Sequence, residues 1–393
     1  VNIFQIIKQS FQILIQAALI IFSVTACIPE SSTNINTGEP IETFQWNVPA
    51  RLPLPIDNKN NPATEEKFQL GRHLFYDKRI SGNGTQSCSD CHQQTLAFTD
   101  GKILPQGSTG QTLSRNSQGL VNNSYNASYT WANTSLVRIE QQLLVPLFGN
   151  DPIEHGINDS NREAILETIK LEEKYQTLFP EAFDITYEQI SFDEIVNAIA
   201  IFVRGINSFN SPYDKYLEGD TTAISDSAKR GEALFFGERF ECFHCHGGYN
   251  FSDSTIDRTV KSFEKPFHNT GLYNIDGNGA YPSNNIGLMD STTLAKDMGK
   301  FKAPSLRNVA LTAPYTHDGT VATLREMLEI YAAGGRVIES GEFAGDGRAN
   351  PFKDILVPGF SATEQELDDV VNFLNTLTDE SLITNERFSN PWE

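Results

Sequence analysis

The chain has 393 residues, 39% of them hydrophobic, a formal net charge of −20 and five cysteines. Its length suggests two or more domains, and the apolar content suffices for a packed core. The acidic balance excludes a nucleic-acid surface, which needs clustered cations; it suits a basic protein partner, or equally an exported protein kept soluble by its charge.

In chain order, an apolar run over 11–24 has Lys8 as its only upstream charge and ends in Val-Thr-Ala-Cys27. This reads as a lipoprotein-type signal peptide over 1–26, with Cys27 as the lipidated residue. The run is short against the roughly 20 apolar residues of a spanning helix; an uncleaved anchor helix is the alternative. Either sends the chain to the periplasmic side of a bacterial membrane, anchored at Cys27 or released. Residues 27–62, rich in Ser, Thr, Asn and Pro, read as a flexible tether.

Two Cys-x-x-Cys-His motifs follow, Cys88-Ser-Asp-Cys91-His92 and Cys242-Phe-His-Cys245-His246. In this motif two thiols form thioethers to haem vinyl groups and the next residue, His, becomes the proximal iron ligand. The spacing predicts two covalently bound c-type haems, and leaves no cysteine pair for a disulfide. An internal repeat surrounds them. Leu-Gly-Arg-His-Leu-Phe-Tyr at 70–76 precedes the first motif and Arg-Gly-Glu-Ala-Leu-Phe-Phe at 230–236 the second; Arg115-Asn116 is echoed by Arg307-Asn308. We therefore expect an N-terminal cytochrome c-like domain over 63–222 and a second over 223–393. Helical periodicity runs over 163–179, 192–209, 324–331 and 364–377, with Ser191 and Ser361 as candidate N-caps. No strand-rich region stands out. The fold class is mainly α: two tandem cytochrome c-like haem domains with long irregular loops.

The sixth iron position separates electron carriers from catalysts. The chain has seven His and three Met. None lies between His92 and His155, so the first haem lacks a nearby sixth ligand and its iron is expected to be open. For the second haem the candidates are Met289, Met298, His268, His317, Met327 and Tyr331. Met327 and Tyr331 stand four apart on one helix and compete for the same iron. A thioether raises the reduction potential, whereas a phenolate favours oxidised iron.

Several strings resemble the bacterial di-haem cytochrome c peroxidases, and more closely their MauG-like and MbnH-like branch. They are Leu-Gly-Arg-His-Leu-Phe-Tyr-Asp77, Ser-Gly-Asn-Gly-Thr-Gln-Ser-Cys88, Tyr129-Thr-Trp131, Phe267-His-Asn-Thr-Gly-Leu272 and the run from Ala303-Pro-Ser-Leu-Arg-Asn to Thr-His-Asp-Gly319. The resemblance covers about 63–393. It implies Tyr331 as distal ligand of the second haem and Trp131 as an electron relay between the haems. It implies Gln142 and Glu154 in the distal pocket of the open haem, Glu154 as proton shuttle. It also implies a calcium ion held by Asn116, Thr312 and Pro314, the last two through backbone carbonyls. This sequence departs from the pattern in three places: Trp131 is followed by Ala-Asn, the segment to Gln142 is one residue longer, and His155 replaces an apolar residue.

The activity so implied is that of a di-haem peroxidase acting on hydrogen peroxide. In the MauG-like branch the electrons come from a side chain, typically Trp, of a periplasmic protein that becomes modified. The alternatives are a cytochrome-c peroxidase fed by a small electron-donor protein, and a non-catalytic di-haem electron carrier.

Overall fold

The computed structural model describes residues 44–260 and 264–393. The chain divides into two compact units, Val1–Glu42 and Thr43–Glu393, and the described residues all belong to the second. The signal segment, Cys27 and the start of the tether lie outside the described residues. No helix among the described residues is long and apolar enough to cross a membrane.

The first half carries α1 (Glu65–Phe75), α2 (Ile139–Phe148), α3 (Arg162–Lys170), α4 (Glu173–Phe183) and α5 (Phe192–Gly205). The second carries α6 (Pro212–Leu217), α7 (Asp226–Phe235), α8 (Phe243–His246), α9 (Met289–Thr292), α10 (Leu324–Ala333), α11 (Glu364–Asn375) and α12 (Glu380–Thr384). Two-residue strands, β1 (Val337–Ile338) and β2 (Gly345–Asp346), pair antiparallel. The molecule is mainly α with long irregular connections, as the sequence pattern predicts.

Side-chain oxygens start these helices by taking otherwise unpaired N–H groups. Ser191 caps α5 in a reciprocal capping box with Glu194. The helix α11 starts at Glu364 as expected, but its cap is Thr363, boxed with Glu366, rather than Ser361 two residues earlier. The single helix expected over 163–179 is two. It breaks at Leu171, which is 78% exposed, and Glu172 caps the restart by accepting from the Lys174 amide. An apolar residue with no core to face gives no reason to continue the first helix.

The repeat has a structural meaning in its glycines. α1 packs on α5 and α7 on α11. At the first crossing a Cβ on Gly71 would stand 2.0 Å from the Ala198 carbonyl oxygen; at the second, a Cβ on Gly231 would stand 1.9 Å from the Asp369 oxygen. Each helix ahead of a haem motif thus needs a residue without a side chain to reach its partner. One core gathers residues of α1 to α5, with Phe75, Phe98 and Phe202 at its centre; another gathers α7, α10 and α11 around Phe235, Phe251 and Phe373. Arg307, from the second Arg-Asn echo, donates to both oxygens of Asp214 at 2.9 and 3.1 Å, both side chains being buried.

Two expected boundaries need correction. Residues 44–62 are not a free tether: Phe44 and Trp46 are buried in the first core, and Asp57 pairs with Arg204. Two aromatic side chains bury too much apolar surface to stay in solvent. The second-domain segment also reaches back, since Leu382 and Phe388 belong to the first core and Arg387 pairs with Glu65 at 2.7 Å.

Candidate haem sites

The first motif is folded by its own residues. Asp90 Oδ2 accepts from the Ser87 amide at 2.7 Å, and the His92 amide donates to the Cys88 carbonyl at 3.0 Å. This turn gathers Cys88, Cys91 and His92. His92 Nδ1 donates to the Phe98 carbonyl at 2.8 Å, which leaves Nε2 as the free lone pair for iron. The second motif repeats the device: His246 Nδ1 donates to the Phe251 carbonyl at 3.2 Å. Phe98 and Phe251 have φ of 62° and 51°, and this left-handed turn presents each carbonyl. Burial pushes the thiols of Cys88, Cys91 and Cys242 up to about 12. Thiols held protonated in this way are poor nucleophiles.

These carbonyl acceptors were not singled out from the sequence, although a signal existed. Phe98-Thr99-Asp100 follows the first motif and Phe251-Ser252-Asp253 the second. Each Asp of this echo lies within electrostatic reach of its proximal His, and Asp100 Oδ2 and Asp253 Oδ1 are buried without a partner.

A cavity of about 260 Å³, partly open to solvent, adjoins the second motif. Its walls include Cys242, Cys245, His246, Phe235, Leu328 and Leu374, and the buried unpartnered nitrogens of His317 and Gln118 belong to residues of the same wall. A largely apolar slot with two thiols and an imidazole fits a covalently held haem.

Of the candidate sixth ligands, His268, His317, Met327 and Tyr331 line this cavity, while Met289 and Met298 do not. His268 is committed elsewhere: Nδ1 donates to Asp354 at 2.6 Å and Nε2 to Asp253 at 2.7 Å. Burial opposes its charge, but hydrogen bonds to Asp253, Cys245 and Asp354 win and raise it to about 11. The Cys245 share of that rise disappears once the sulfur is a thioether. Cys245, Asp253 and His268 could jointly ligate a metal, but a thioether removes the thiolate such a site needs. His317 stacks on Phe301 with centroids 3.6 Å apart, and burial lowers its pKa to about 3. Tyr331 is pushed upward by desolvation and, less, by the charges of Cys245 and Cys242, and it lines the same cavity as both. A buried phenol stays protonated unless its partner brings positive charge, as ferric iron does.

Trp131 joins the two halves. Its indole Nε1 donates to the Asn116 carbonyl at 2.8 Å, and its own carbonyl accepts from the Lys302 amide at 2.8 Å. Asn116, Thr312 and Pro314 line the same cavity as Trp131. The Asn116 amide nitrogen donates to the Lys102 carbonyl at 2.8 Å, leaving its side-chain oxygen for a cation.

At the first haem, Glu154 lies within electrostatic reach of both Cys88 and Cys91. The residue as a whole is half-buried, but its carboxyl is deep enough that burial pushes it up to about 7. Gln142 sits on α2, one turn ahead of Pro146, whose carbonyl accepts from the His155 amide at 2.9 Å. His155 is buried, with Nδ1 on the Ile80 carbonyl at 2.7 Å. Main-chain bonds from Ser108 to the Glu154 carbonyl and from Gly82 to the His155 carbonyl, both 2.7 Å, staple this segment beside the loop entering Cys88.

Comparison with known proteins gives the family. A family model for di-haem cytochrome c peroxidase matches residues 65–222. The chain is 31% identical over 349 residues to cytochrome-c peroxidase IdrP1 of Denitromonas iodatirespirans, covering 83% of this chain and 84% of that one. It is 30% identical over 331 residues to methylamine utilization protein MauG of Methylorubrum extorquens, covering 84% and 82%. Among solved structures it matches a MauG-like protein associated with microbial copper homeostasis, at 51% identity and TM-score 0.87, over 89% of this chain and all of that one. The chain belongs to the di-haem cytochrome c peroxidase and MauG family. It is accordingly a di-haem peroxidase-class oxidoreductase.

Proposed function

We propose that the chain uses hydrogen peroxide to oxidise a side chain of a partner protein in the periplasm, in the manner of the MauG-like and MbnH-like branch. The observation that carries this reading is Tyr331: a half-buried tyrosine on α10 that lines the second-haem cavity together with Cys242, Cys245 and His246. The 51% identity to a MauG-like structure supports it. That neighbour's association with copper homeostasis makes a copper-responsive setting the first to test here.

In this reading Cys88, Cys91 and His92 hold one haem, and Cys242, Cys245, His246 and Tyr331 the other. Haem supplies a site for peroxide cleavage and storage of two oxidising equivalents. Glu154, poised near neutrality, takes the peroxide proton and returns it to the departing oxygen, which leaves as water. Gln142 orients the peroxide. Trp131, fixed through Asn116 and Lys302, carries electrons between the halves. Asn116, Thr312 and Pro314 would bind calcium as hard oxygen donors and brace that junction. The partner is a protein with basic surface, matching the net charge of −20. Lipid anchoring at Cys27 belongs to the same proposal.

Met327 lines the same cavity and favours the second reading, a cytochrome-c peroxidase drawing electrons from a small redox protein. Tyr331→Phe and Met327→Leu separate the two. The proposal expects Tyr331→Phe to change the second haem's absorption and EPR spectra and Met327→Leu to leave them; the reverse pattern supports the second reading. Mass spectrometry of a co-encoded partner with and without peroxide then tests the activity. An unmodified partner beside fast turnover with reduced cytochrome would overturn protein modification.

A further inference from the structure

A buried tyrosine and an exposed tryptophan lie together on the first half, away from the inter-haem wall. Tyr175 on α4 is fully buried, and its hydroxyl donates to Asp77 Oδ2 at 2.6 Å. Asp77, 4% exposed, ends the string that opens the first haem domain. Its oxygens also accept from Arg79 Nε at 2.9 Å. Trp392 lies edge-on to Tyr175, centroids 5.8 Å apart, and is 38% exposed. Its indole N–H donates to the His73 carbonyl at 3.0 Å, and the His73 ring meets it edge-on at 5.2 Å.

This pair is tied to the first haem motif. Lys78, next to Asp77, pairs with Asp90 inside the motif at 3.4 Å. Tyr175 and Cys88 pack in the same core cluster. On the other side, His155 holds the Ile80 carbonyl, three residues beyond Asp77.

We propose that Tyr175 and Trp392 form a second exit for oxidising equivalents, in which Tyr175 holds the oxidised state and Trp392 meets a one-electron reductant at the surface. The chemistry follows from the contacts. Tyr175 gives an electron to the peroxide-oxidised haem centre and its proton to Asp77, becoming a neutral radical. Because the proton has a carboxylate 2.6 Å away, no charged phenol forms inside the core. Trp392 then gives an electron to Tyr175, which recovers its proton from Asp77. Finally Trp392 is restored by one electron from the external reductant.

Arg79 decides where the oxidised state rests. Its guanidinium carbon lies 4.9 Å from the Trp392 ring and 5.5 Å from the Tyr175 ring. A fixed cation opposes positive charge on an indole, whereas oxidised Tyr175 gains no charge. Tyr175 is therefore the store and Trp392 the brief contact point. The same cation favours anionic reductants.

This inference rests on the family's peroxide chemistry and not on any protein partner. The holoenzyme is mixed with hydrogen peroxide, freeze-quenched and read by EPR, then re-reduced with ferrocyanide as an anionic one-electron probe. A tyrosyl signal is expected, and Tyr175→Phe removes it. In Trp392→Phe the signal outlives that of the unaltered protein, and ferrocyanide re-reduction slows about tenfold or more, equivalent to at least 1.36 kcal/mol in barrier. A signal that survives Tyr175→Phe overturns the store, and an unchanged re-reduction rate in Trp392→Phe overturns the exit. If Tyr175→Phe fails to fold, the Trp392 arm decides alone, since that side chain is at the surface. The radical is read before any partner protein is added, so failure here leaves the partner assay standing.

Discussion

In the proposed reading, Glu154 concentrates the chemistry of the first haem in one titration. Its carboxyl is pushed up to about 7 by burial, so below that pH it is a neutral acid and above it a carboxylate. To take a proton from peroxide it must be ionised, so the rate of reaction with peroxide should rise with pH through about 7. Glu154→Gln should lower that rate about a hundred- to ten-thousand-fold and abolish this limb of the pH profile. Stopped-flow mixing with peroxide from pH 5.5 to about 8.5, spanning the neutral region where such a base is most effective, checks both. A limb that persists in Glu154→Gln means another group carries the proton. The cysteines and histidines of the two motifs were legible in the sequence because thioether chemistry fixes their spacing. The Phe98 and Phe251 carbonyls that orient those histidines were not, because a backbone acceptor carries no residue signature. Only the repeated Phe-Thr-Asp and Phe-Ser-Asp strings betrayed them.

Among the elements, the helices ahead of the haem motifs show how a weak sequence signal becomes a strong constraint. A glycine inside a helix costs about 1 kcal/mol relative to alanine, so its presence in both α1 and α7 asks for a compensating contact. The contact is a backbone approach too close for any Cβ, onto Ala198 and onto Asp369. Gly71→Ala or Gly231→Ala should each destabilise by about 1–3 kcal/mol through overpacking, despite the better helix propensity. Chemical denaturation followed by circular dichroism measures this; neutral or stabilising alanines would show that the helices slide apart at no cost. The repeat was visible from the strings at 70–76 and 230–236, but not the reason for it, because helix crossing partners lie more than a hundred residues apart in sequence. The break between α3 and α4 was missed on similar grounds, since continuous amphipathic periodicity does not record where the core surface ends.

For the whole molecule, residues from both ends of the described chain meet on the first haem half. Phe44 and Trp46 pack there from one side and Leu382 and Phe388 from the other. Phe68 is the meeting point: its ring lies 5.8 Å from Phe44 and 6.2 Å from Phe388, with the Arg387 guanidinium 4.0 Å from it. The Tyr76 hydroxyl donates to the Phe388 carbonyl at 2.7 Å, and Arg72 Nε to the Ser389 carbonyl at 2.6 Å. The strap over residues 385–393 thus belongs structurally to α1 although the sequence places it with the second haem. Phe388→Ala should cost about 3–5 kcal/mol, the loss for a buried Phe side chain and the cavity it leaves. The cost should fall unequally. The first-haem Soret change, resolved by its spin state, should come at lower denaturant in the variant, while the second-haem change stays nearer its original midpoint. Equal shifts of both would mean that the two halves unfold as one cooperative body, and that the strap stabilises the entire molecule rather than the half it touches.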